Sequence, residues 1–257
     1  MPAIDIQQVS FSYTSAPFLE DFSAKFTRGK VTSIVGPNGC GKSTLVRLIS
    51  GRERPSEGQV LIDGTPTLSL KNKERACQIA VLAQGNRPPA MTVEALVACG
   101  RHPYQRFDKR LGPADQEYVE TALELVGIEP LRNHDLRYLS GGERQKAFLA
   151  MTLAQDTGTI ILDEPTTYLD IGACHETMQL IRMLNETMDK TIIMVIHDID
   201  LALRYSDELV VMQRGACLAG GTVDEVIAAG ALEQAFSIRI CQATFDEGVS
   251  YALFPVR

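Results

Sequence analysis

Hydrophobic and polar residues alternate along the first part of the chain, and short apolar runs follow. Residues 4–11 and 22–26 alternate with a period of two, which predicts antiparallel strands with one face in solvent. Apolar runs then recur at residues 31–36, 59–63, 79–83, 159–163, 191–196 and 208–212. Several of these runs alternate with segments of helical period, such as residues 42–50. This order predicts an α/β fold with a mainly parallel sheet.

A break in the strand pattern separates a helical segment from the rest of the chain. Gly and Pro are concentrated in residues 85–91 (GNRPPAM), and helical periodicity follows over residues 93–99 and 115–126. Strand-like runs resume near Thr159. We therefore predict a single domain, with a core over residues 1–85 and 155–257 and an inserted helical subdomain over residues 86–154.

Composition excludes several classes of protein. The hydrophobic share of 45% and the charged share of 22% are typical of soluble globular proteins. The longest unbroken apolar runs, without any polar residue, have five residues, whereas a membrane-spanning helix needs about 20. The net charge of −7, without a block of Lys and Arg, makes nucleic acid a poor candidate partner. The N-terminus does not look like a signal peptide, and six cysteines without a CxxC pair fit a reducing cytosol.

The strongest chemical signal is GPNGCGKS, which matches the phosphate-binding pattern G-x-x-x-x-G-K-[ST] between a buried strand and a helix. Its glycines let backbone N–H groups turn toward a phosphate chain, and the helix N-terminus adds partial positive charge. Lys42 is expected to reach the β- and γ-phosphates, Ser43 to ligate Mg²⁺ and Thr44 to contact the α-phosphate. The predicted nucleotide-binding residues here are Gly36, Pro37, Asn38, Gly39, Cys40, Gly41, Lys42, Ser43 and Thr44.

Cys40 lies inside this loop and leaves two alternatives open. The electrostatics of the helix end lower the pKa of its thiol, or the side chain packs as a small buried residue.

The segment TIILDEP, residues 159–165, places two carboxylates at the end of an apolar run. Ligands of open α/β sheets bind at the carboxyl ends of strands. We expect Asp163 to hold the metal ion and Glu164 to act as general base on an attacking water.

The segment LSGGERQ, residues 139–145, predicts the start of a second helix. Ser140 and Glu143 form the pattern of a capping box. Gly141 and Gly142 leave the start of the helix without side chains, which makes it an anion site.

Together, residues 36–43, 139–145 and 160–164 resemble the ATP-binding cassette family, the ATPase subunits of ABC transporters. The resemblance extends over essentially the whole chain. It implies a P-loop NTPase with a RecA-like core, an N-terminal antiparallel β-subdomain and an inserted helical subdomain that contains the signature LSGGERQ.

The resemblance also assigns roles to residues that do not indicate a function by themselves. Gln84 matches the Q-loop, with a role in catalysis and at the metal ion, and His197 matches the switch histidine that senses the γ-phosphate. Asp170 falls in the D-loop. Tyr13 matches the aromatic that stacks on adenine, although packing in an edge strand is an open alternative.

The mechanism implied by the family is that of a dimer. Each ATP, with Mg²⁺, lies between the P-loop of one subunit and the signature of the other, so Ser140, Gly141 and Gly142 contact the partner's γ-phosphate. Glu164 and His197 then drive hydrolysis, which opens the dimer. Two identical ATPase subunits are expected.

Two stretches resemble the ATPases of iron–siderophore, haem and cobalamin importers: residues 97–106 (VACGRHPYQR) and 166–171 (TTYLDI). Cys174-His175-Glu176 departs from the His-Gln pair common there. The implied protein is peripheral, on the cytoplasmic face of the membrane, and bound to a transmembrane permease. An extracytoplasmic substrate-binding protein is an indirect partner. The three ligand classes are not separable from the sequence.

Other functions compete with an importer ATPase. The chain could serve another ABC transporter, or it could be a soluble ABC ATPase such as one of cluster assembly. A small-molecule P-loop kinase would give no reason for LSGGERQ.

Overall fold

The computed structural model describes residues 1–13, 18–85, 88–105, 111–245 and 248–256. These residues form two compact units, one of residues 1–69 and 191–257 and the other of residues 70–190. Arg106, in the stretch that resembles importer ATPases, lies outside the described residues. So do residues 86 and 87, next to the predicted domain boundary, and the boundaries at 85/86 and 154/155 stay a prediction.

The first unit contains ten strands and four helices among its described residues. The strands are β1 (Ile4–Phe11), β2 (Leu19–Phe26), β3 (Val31–Val35), β4 (Glu57–Ile62), β5 (Thr65–Pro66), β8 (Thr191–Val195), β9 (Glu208–Gln213), β10 (Ala216–Thr222), β11 (Ile238–Phe245) and β12 (Gly248–Pro255). The helices are α1 (Lys42–Ile49), α7 (Ile199–Tyr205), α8 (Val223–Ala228) and α9 (Ala231–Phe236).

The alternating segments at the N-terminus form an antiparallel sheet of strand order β2-β1-β4-β5. Ile4 pairs with Phe26 on one side and with Ile62 on the other, and all three side chains are buried. The predicted antiparallel strands are therefore confirmed. The apolar run 59–63 differs from expectation, because it forms β4 in this sheet instead of joining the parallel one.

Parallel pairing organises the second sheet of this unit, in which β10, β9, β3 and β8 are neighbours. β3 pairs in parallel with β8 and β9, and every residue of β3 is buried. A fully buried parallel strand favours a mostly apolar sequence without alternation. The run 31–35 has this character, although Thr32 and Ser33 are buried polar residues. β9 and β10 form an antiparallel hairpin at one side.

The second unit holds two strands and five helices among its described residues: α2 (Asn72–Ala76), β6 (Ile79–Leu82), α3 (Val93–Cys99), α4 (Pro113–Leu125), α5 (Gly141–Ala154), β7 (Thr159–Asp163) and α6 (Ile171–Met188). β6 and β7 pair in parallel. Helices α3, α4 and α5 pack on one another, as the helical periodicity predicts. Among the described residues, no helix has the length and apolar content that crossing a bilayer requires.

Leu123 lies in the last turn of α4 and is fully buried. We expect Leu123→Ala to lower the free energy of unfolding by about 2–5 kcal/mol, because truncation leaves a cavity that the packed helices fill only in part. Urea denaturation measures the change. Glu124→Ala, one residue along and exposed, should stay within about 0.5 kcal/mol of the parent protein. Equal losses from both variants would contradict the packing of α4.

Candidate functional site

The phosphate-binding loop connects β3 to α1 in the first unit. Gly41 is the N-cap of α1 with a φ of 111°, which an L side chain rarely adopts. A Cβ on Gly36 would lie 2.3 Å from the carbonyl oxygen of Met212, so only glycine fits against β9 at that position. The sequence pattern therefore reflects two backbone constraints that a larger residue would break.

Lys42 closes over this loop. Its side chain is buried, and its Nζ donates to the carbonyl oxygens of Gly36 at 2.6 Å and Pro37 at 3.2 Å. The ammonium group is thus fixed at the loop by its own backbone. Asn38 and Gly39 are exposed, and Pro37 and Ser43 are half-buried. The loop therefore offers a buried positive charge beside an accessible backbone.

Tyr13 stands beside the first turn of α1. Its hydroxyl oxygen lies 3.1 Å from Oγ1 of Thr44 and accepts a hydrogen bond from Arg47 at 3.4 Å. The ring meets Phe11 edge-to-face at 4.7 Å, and half of the residue is exposed. An amphipathic ring held at its edges is suited to stack on a ligand.

His197 leaves the sheet at the same edge as the phosphate-binding loop. Ile34 pairs with Val195 in the parallel register of β3 and β8. Gly36 and His197 each lie two residues beyond this pair, so both emerge at the carboxyl edge, where open α/β sheets bind ligands. His197 is exposed.

The corresponding edge of the second unit brings Gln84 to Glu164. Leu82 pairs with Leu162 in the parallel register of β6 and β7, and each of the two polar residues follows by two positions. Nε2 of Gln84 donates to Oε2 of Glu164 at 2.5 Å. β6 ends at Leu82, so Gln84 lies two residues beyond the strand.

Glu164 is held in an unusual backbone conformation. Its φ is 56°, in the left-handed region that disfavours residues with a side chain. Oγ1 of Thr167 donates to the same Oε2 at 2.9 Å, while Asp163 is buried at the end of β7. Two donors thus converge on one carboxylate oxygen and set the direction of the side chain.

A capping box begins α5, as the sequence predicts. The backbone N–H of Ser140 donates to Oε2 of Glu143 at 2.8 Å, and that of Glu143 donates to Oγ of Ser140 at 3.3 Å. Hydrogen bonding to Ser140 lowers the pKa of Glu143 from its ordinary value. Gly141 and Gly142 form the first turn, so this helix end presents backbone N–H groups to a ligand.

A cavity of about 290 Å³ opens before this helix start. Its lining includes Ser140, Gly141, Gly142 and Asp170. Asp170 is the N-cap of α6, and its Oδ1 accepts from the backbone of Ala173 at 2.8 Å. The signature segment and the start of α6 therefore border one concave surface.

The model of the family described as ABC transporter matches residues 19–167, more than half of the chain. The chain belongs to the ABC transporter family. The resemblance seen in its motifs is thereby confirmed, and the α/β cassette is an ATPase of that family.

Relatives of this ABC ATPase span nearly the whole chain. The Bacillus subtilis (strain 168) protein named "Probable siderophore transport system ATP-binding protein YusV" is 41% identical, covering 96% of this chain and 90% of its own length. The petrobactin import ATP-binding protein FpuD of Bacillus anthracis is 40% identical, covering 95% and 89%. The dimeric post-hydrolysis cassette MJ0796, bound to ADP and Pi, has a TM-score of 0.74 at 27% identity, covering 86% and 98%.

The cassette also contains residues near its carboxylates that motif spacing did not select. A cavity of about 320 Å³ is lined by Gln84, Asp163 and Glu164 together with Arg144, Gln145 and Thr167. Arg144 and Gln145 follow the glycines of the signature, and Thr167 lies three residues after Glu164. Only Thr167 is close enough in sequence to its carboxylate for a local hydrogen bond to have been considered from the sequence.

The two alternatives for Cys40 are decided by burial. The side chain is 4% exposed, and desolvation raises the pKa of its thiol, an effect larger than the opposing charge of Lys42. A lowered pKa at the helix end is therefore wrong, because removal from water penalises the thiolate more than the neighbouring charge stabilises it. Cys40 acts as a small packing residue under the loop.

We expect iodoacetamide at pH 8 to label Cys40 at least about tenfold more slowly than the exposed Cys241. The raised pKa leaves less thiolate at Cys40, and burial restricts access. Mass spectrometry of timed, quenched samples gives both rates from one protein. Faster labelling of Cys40 at neutral pH would restore the lowered-pKa alternative.

Proposed function

We propose that this ABC ATPase energises a membrane importer for iron–siderophore complexes or related metal chelates such as haem and cobalamin. The observation that carries this function is the 41% and 40% identity, over almost the entire chain, to ATP-binding proteins named for siderophore and petrobactin transport. An alignment of this extent includes the stretches 97–106 and 166–171, and the first of these lies outside the nucleotide motifs.

ATP binds on the loop between β3 and α1. The backbone from Gly36 to Thr44 surrounds the phosphates, and Lys42 gives up its carbonyl partners to bind the β- and γ-phosphates. The adenine stacks on Tyr13, whose ring is held by Phe11 and anchored to Thr44. Exposure of half of this ring supports the stacking role.

Glu164 acts as the general base of hydrolysis. It takes a proton from the water that attacks the γ-phosphorus, and Gln84 and Thr167 orient its carboxylate through their hydrogen bonds to Oε2. His197 binds the γ-phosphate. The convergence of two donors on Glu164 supports an oriented base over a solvated turn.

The residues present fit a magnesium ion. The hydroxyl of Ser43, the amide oxygen of Gln84 and the carboxylate of Asp163 are oxygen donors of the kind that Mg²⁺ prefers. Mg²⁺ commonly takes its remaining ligands from substrate phosphates and water, which ATP and solvent would supply here. When bound, Mg²⁺ neutralises charge on the β- and γ-phosphates.

Two copies of the chain complete each site. Ser140, Gly141, Gly142 and Asp170 of one subunit contact the ATP held by the partner, and the concave surface before α5 receives the γ-phosphate. The signature start has its backbone donors and little side-chain cover, which supports this role. The similar cassette MJ0796 is dimeric with ADP and Pi.

Closure and opening of the dimer move a transmembrane permease, to which the cassette binds from the cytoplasmic face of the membrane. The cavity bordered by Gln84 and Arg144 is a suitable receiving surface, because Gln84 links it directly to Glu164. On the other side of the membrane, a substrate-binding protein delivers the chelate to the permease.

Replacing the base should separate ATP binding from turnover. In Glu164→Gln we expect kcat to fall by about 100-fold or more, since an amide accepts no proton from water. The variant should bind ATP and accumulate as an ATP-dependent dimer on gel filtration. The matched control is Glu124→Gln, an exposed glutamate on α4, which should keep parent turnover. Parent-like turnover in Glu164→Gln would remove Glu164 from the role of base.

The importer function is tested by isolating the tagged chain from gently solubilised membranes and identifying its partners by mass spectrometry. We expect a permease of many helices together with a metal-chelate binding protein. The Lys42→Ala variant, in which ATP binding is lost, controls for contacts that depend on nucleotide. A soluble partner in place of the permease would instead indicate a non-transport ABC ATPase. If the membrane subunit identified belongs to an exporter, the chain serves another class of ABC transporter.

A further inference from the structure

The sequence Gly100-Arg101-His102-Pro103-Tyr104, from the stretch that resembles importer ATPases, has no part in the proposed chemistry. It follows α3 directly, and residues 102–104 form a 3₁₀ turn with Pro103 at its start. Its side chains make specific contacts with the ends of α4 and α5, and these contacts indicate what the motif does.

Gly100 brings the end of α3 against the backbone of α5. A Cβ at this position would lie 2.2 Å from the carbonyl oxygen of Met151, closer than real Cβ atoms come. Glycine is therefore required for space. The close approach places the next residue, Arg101, beside the last turn of α5.

The guanidinium of Arg101 lies between two aromatic rings. Its Cζ is 4.0 Å from the ring centroid of Tyr104 and 4.0 Å from that of Tyr118 on α4. Only 5% of Arg101 is exposed. A planar cation stacked on two rings and removed from water has one preferred position, and lysine could not reproduce it.

The same guanidinium joins two helix ends of opposite polarity. Nη1 donates to the carbonyl oxygen of Ala154, the last residue of α5, at 2.8 Å. Nε donates to Asp115, in the first turn of α4, at 3.0 Å. The positive charge thus satisfies an unpaired carbonyl at the negative end of α5, and Asp115 lies at the positive end of α4.

We propose that Arg101 is a positioning residue that fixes the direction of α5 and thereby the location of the signature Ser140–Gly142 at its other end. The 14 residues of α5 span about 20 Å, so a small rotation at Ala154 displaces the signature glycines by a larger distance. This inference rests on the proposed contact of the signature with the partner's ATP. The importer-like motif is accordingly a clamp on the signature helix, and it does not recognise the transported chelate.

The clamp itself is tested in the monomer by hydrogen exchange read by mass spectrometry. In Arg101→Met, peptides covering residues 139–154 should exchange at least about tenfold faster, because the helix end loses its cap and its anchor. The matched control is Arg132→Met. Arg132 joins α3 to α4, through Glu94 at 2.6 Å and Glu120 at 2.7 Å, and does not contact α5 in these ion pairs. Its loss should leave the exchange rates of these peptides unchanged.

The consequence for the signature is tested in the Glu164→Gln background. Adding Arg101→Met should weaken ATP-dependent dimerisation by about tenfold, within the range for residues that couple separated sites. The affinity of the monomer for ADP should stay within about twofold of the parent, because the phosphate-binding loop is untouched. Tyr118→Phe, which keeps the stacking ring, should dimerise like the parent, and Tyr118→Leu should resemble Arg101→Met.

Three results would overturn the positioning role: unchanged exchange in Arg101→Met, an equal effect of Arg132→Met, or parallel loss of ADP affinity and dimerisation. A parent Glu164→Gln protein that stays monomeric with ATP would contradict the proposed function instead. The exchange experiment would then still decide whether Arg101 clamps α5.

Discussion

Parallel strand pairing is the constraint on which the functional surfaces depend. In each unit, two strands pair in parallel, and the residues that follow them lie at the same edge of the sheet. These residues are Gly36 and His197 in the first unit, and Gln84 and Glu164 in the second. Because parallel strands buried on both faces are mostly apolar, the polar residues of the candidate site lie at or just beyond the ends of these strands. The hydrogen bond between Gln84 and Glu164 follows directly from that register. A shift by one residue would separate the amide from the carboxylate.

Helix N-termini supply partial positive charge and backbone N–H donors in addition to the charged side chains. Gly41 and the pair Gly141-Gly142 leave the N-termini of α1 and α5 without side-chain cover, so backbone N–H groups are available to anions. The two starts differ in how they are built. A left-handed glycine begins α1, whereas Ser140 caps α5 in a reciprocal box with Glu143.

The carboxyl end of α5 carries partial negative charge, and a cation stabilises it. Arg101 places a buried cation at the last carbonyl of that helix, and stacking between Tyr104 and Tyr118 keeps it there. Burial raises the pKa of Tyr104 to about 12, so the stacked ring stays neutral over the working range of pH. One helix is thus held at its carboxyl end, while its amino end has backbone N–H groups without side-chain cover.

The sequence by itself determined the local structures: the period-two strands, the apolar parallel strands, the glycine loop before Lys42 and the capping box at Ser140. These are encoded within a few residues, and the motifs also identified the family. Tertiary structure alone decided that the run 59–63 joins the antiparallel sheet, that Cys40 is a buried neutral thiol, and that Thr167 orients Glu164. It also decided that Arg101 joins α4 to α5. The physical reason is that burial, register and stacking depend on residues distant in the chain, whereas capping and backbone conformation depend on neighbours.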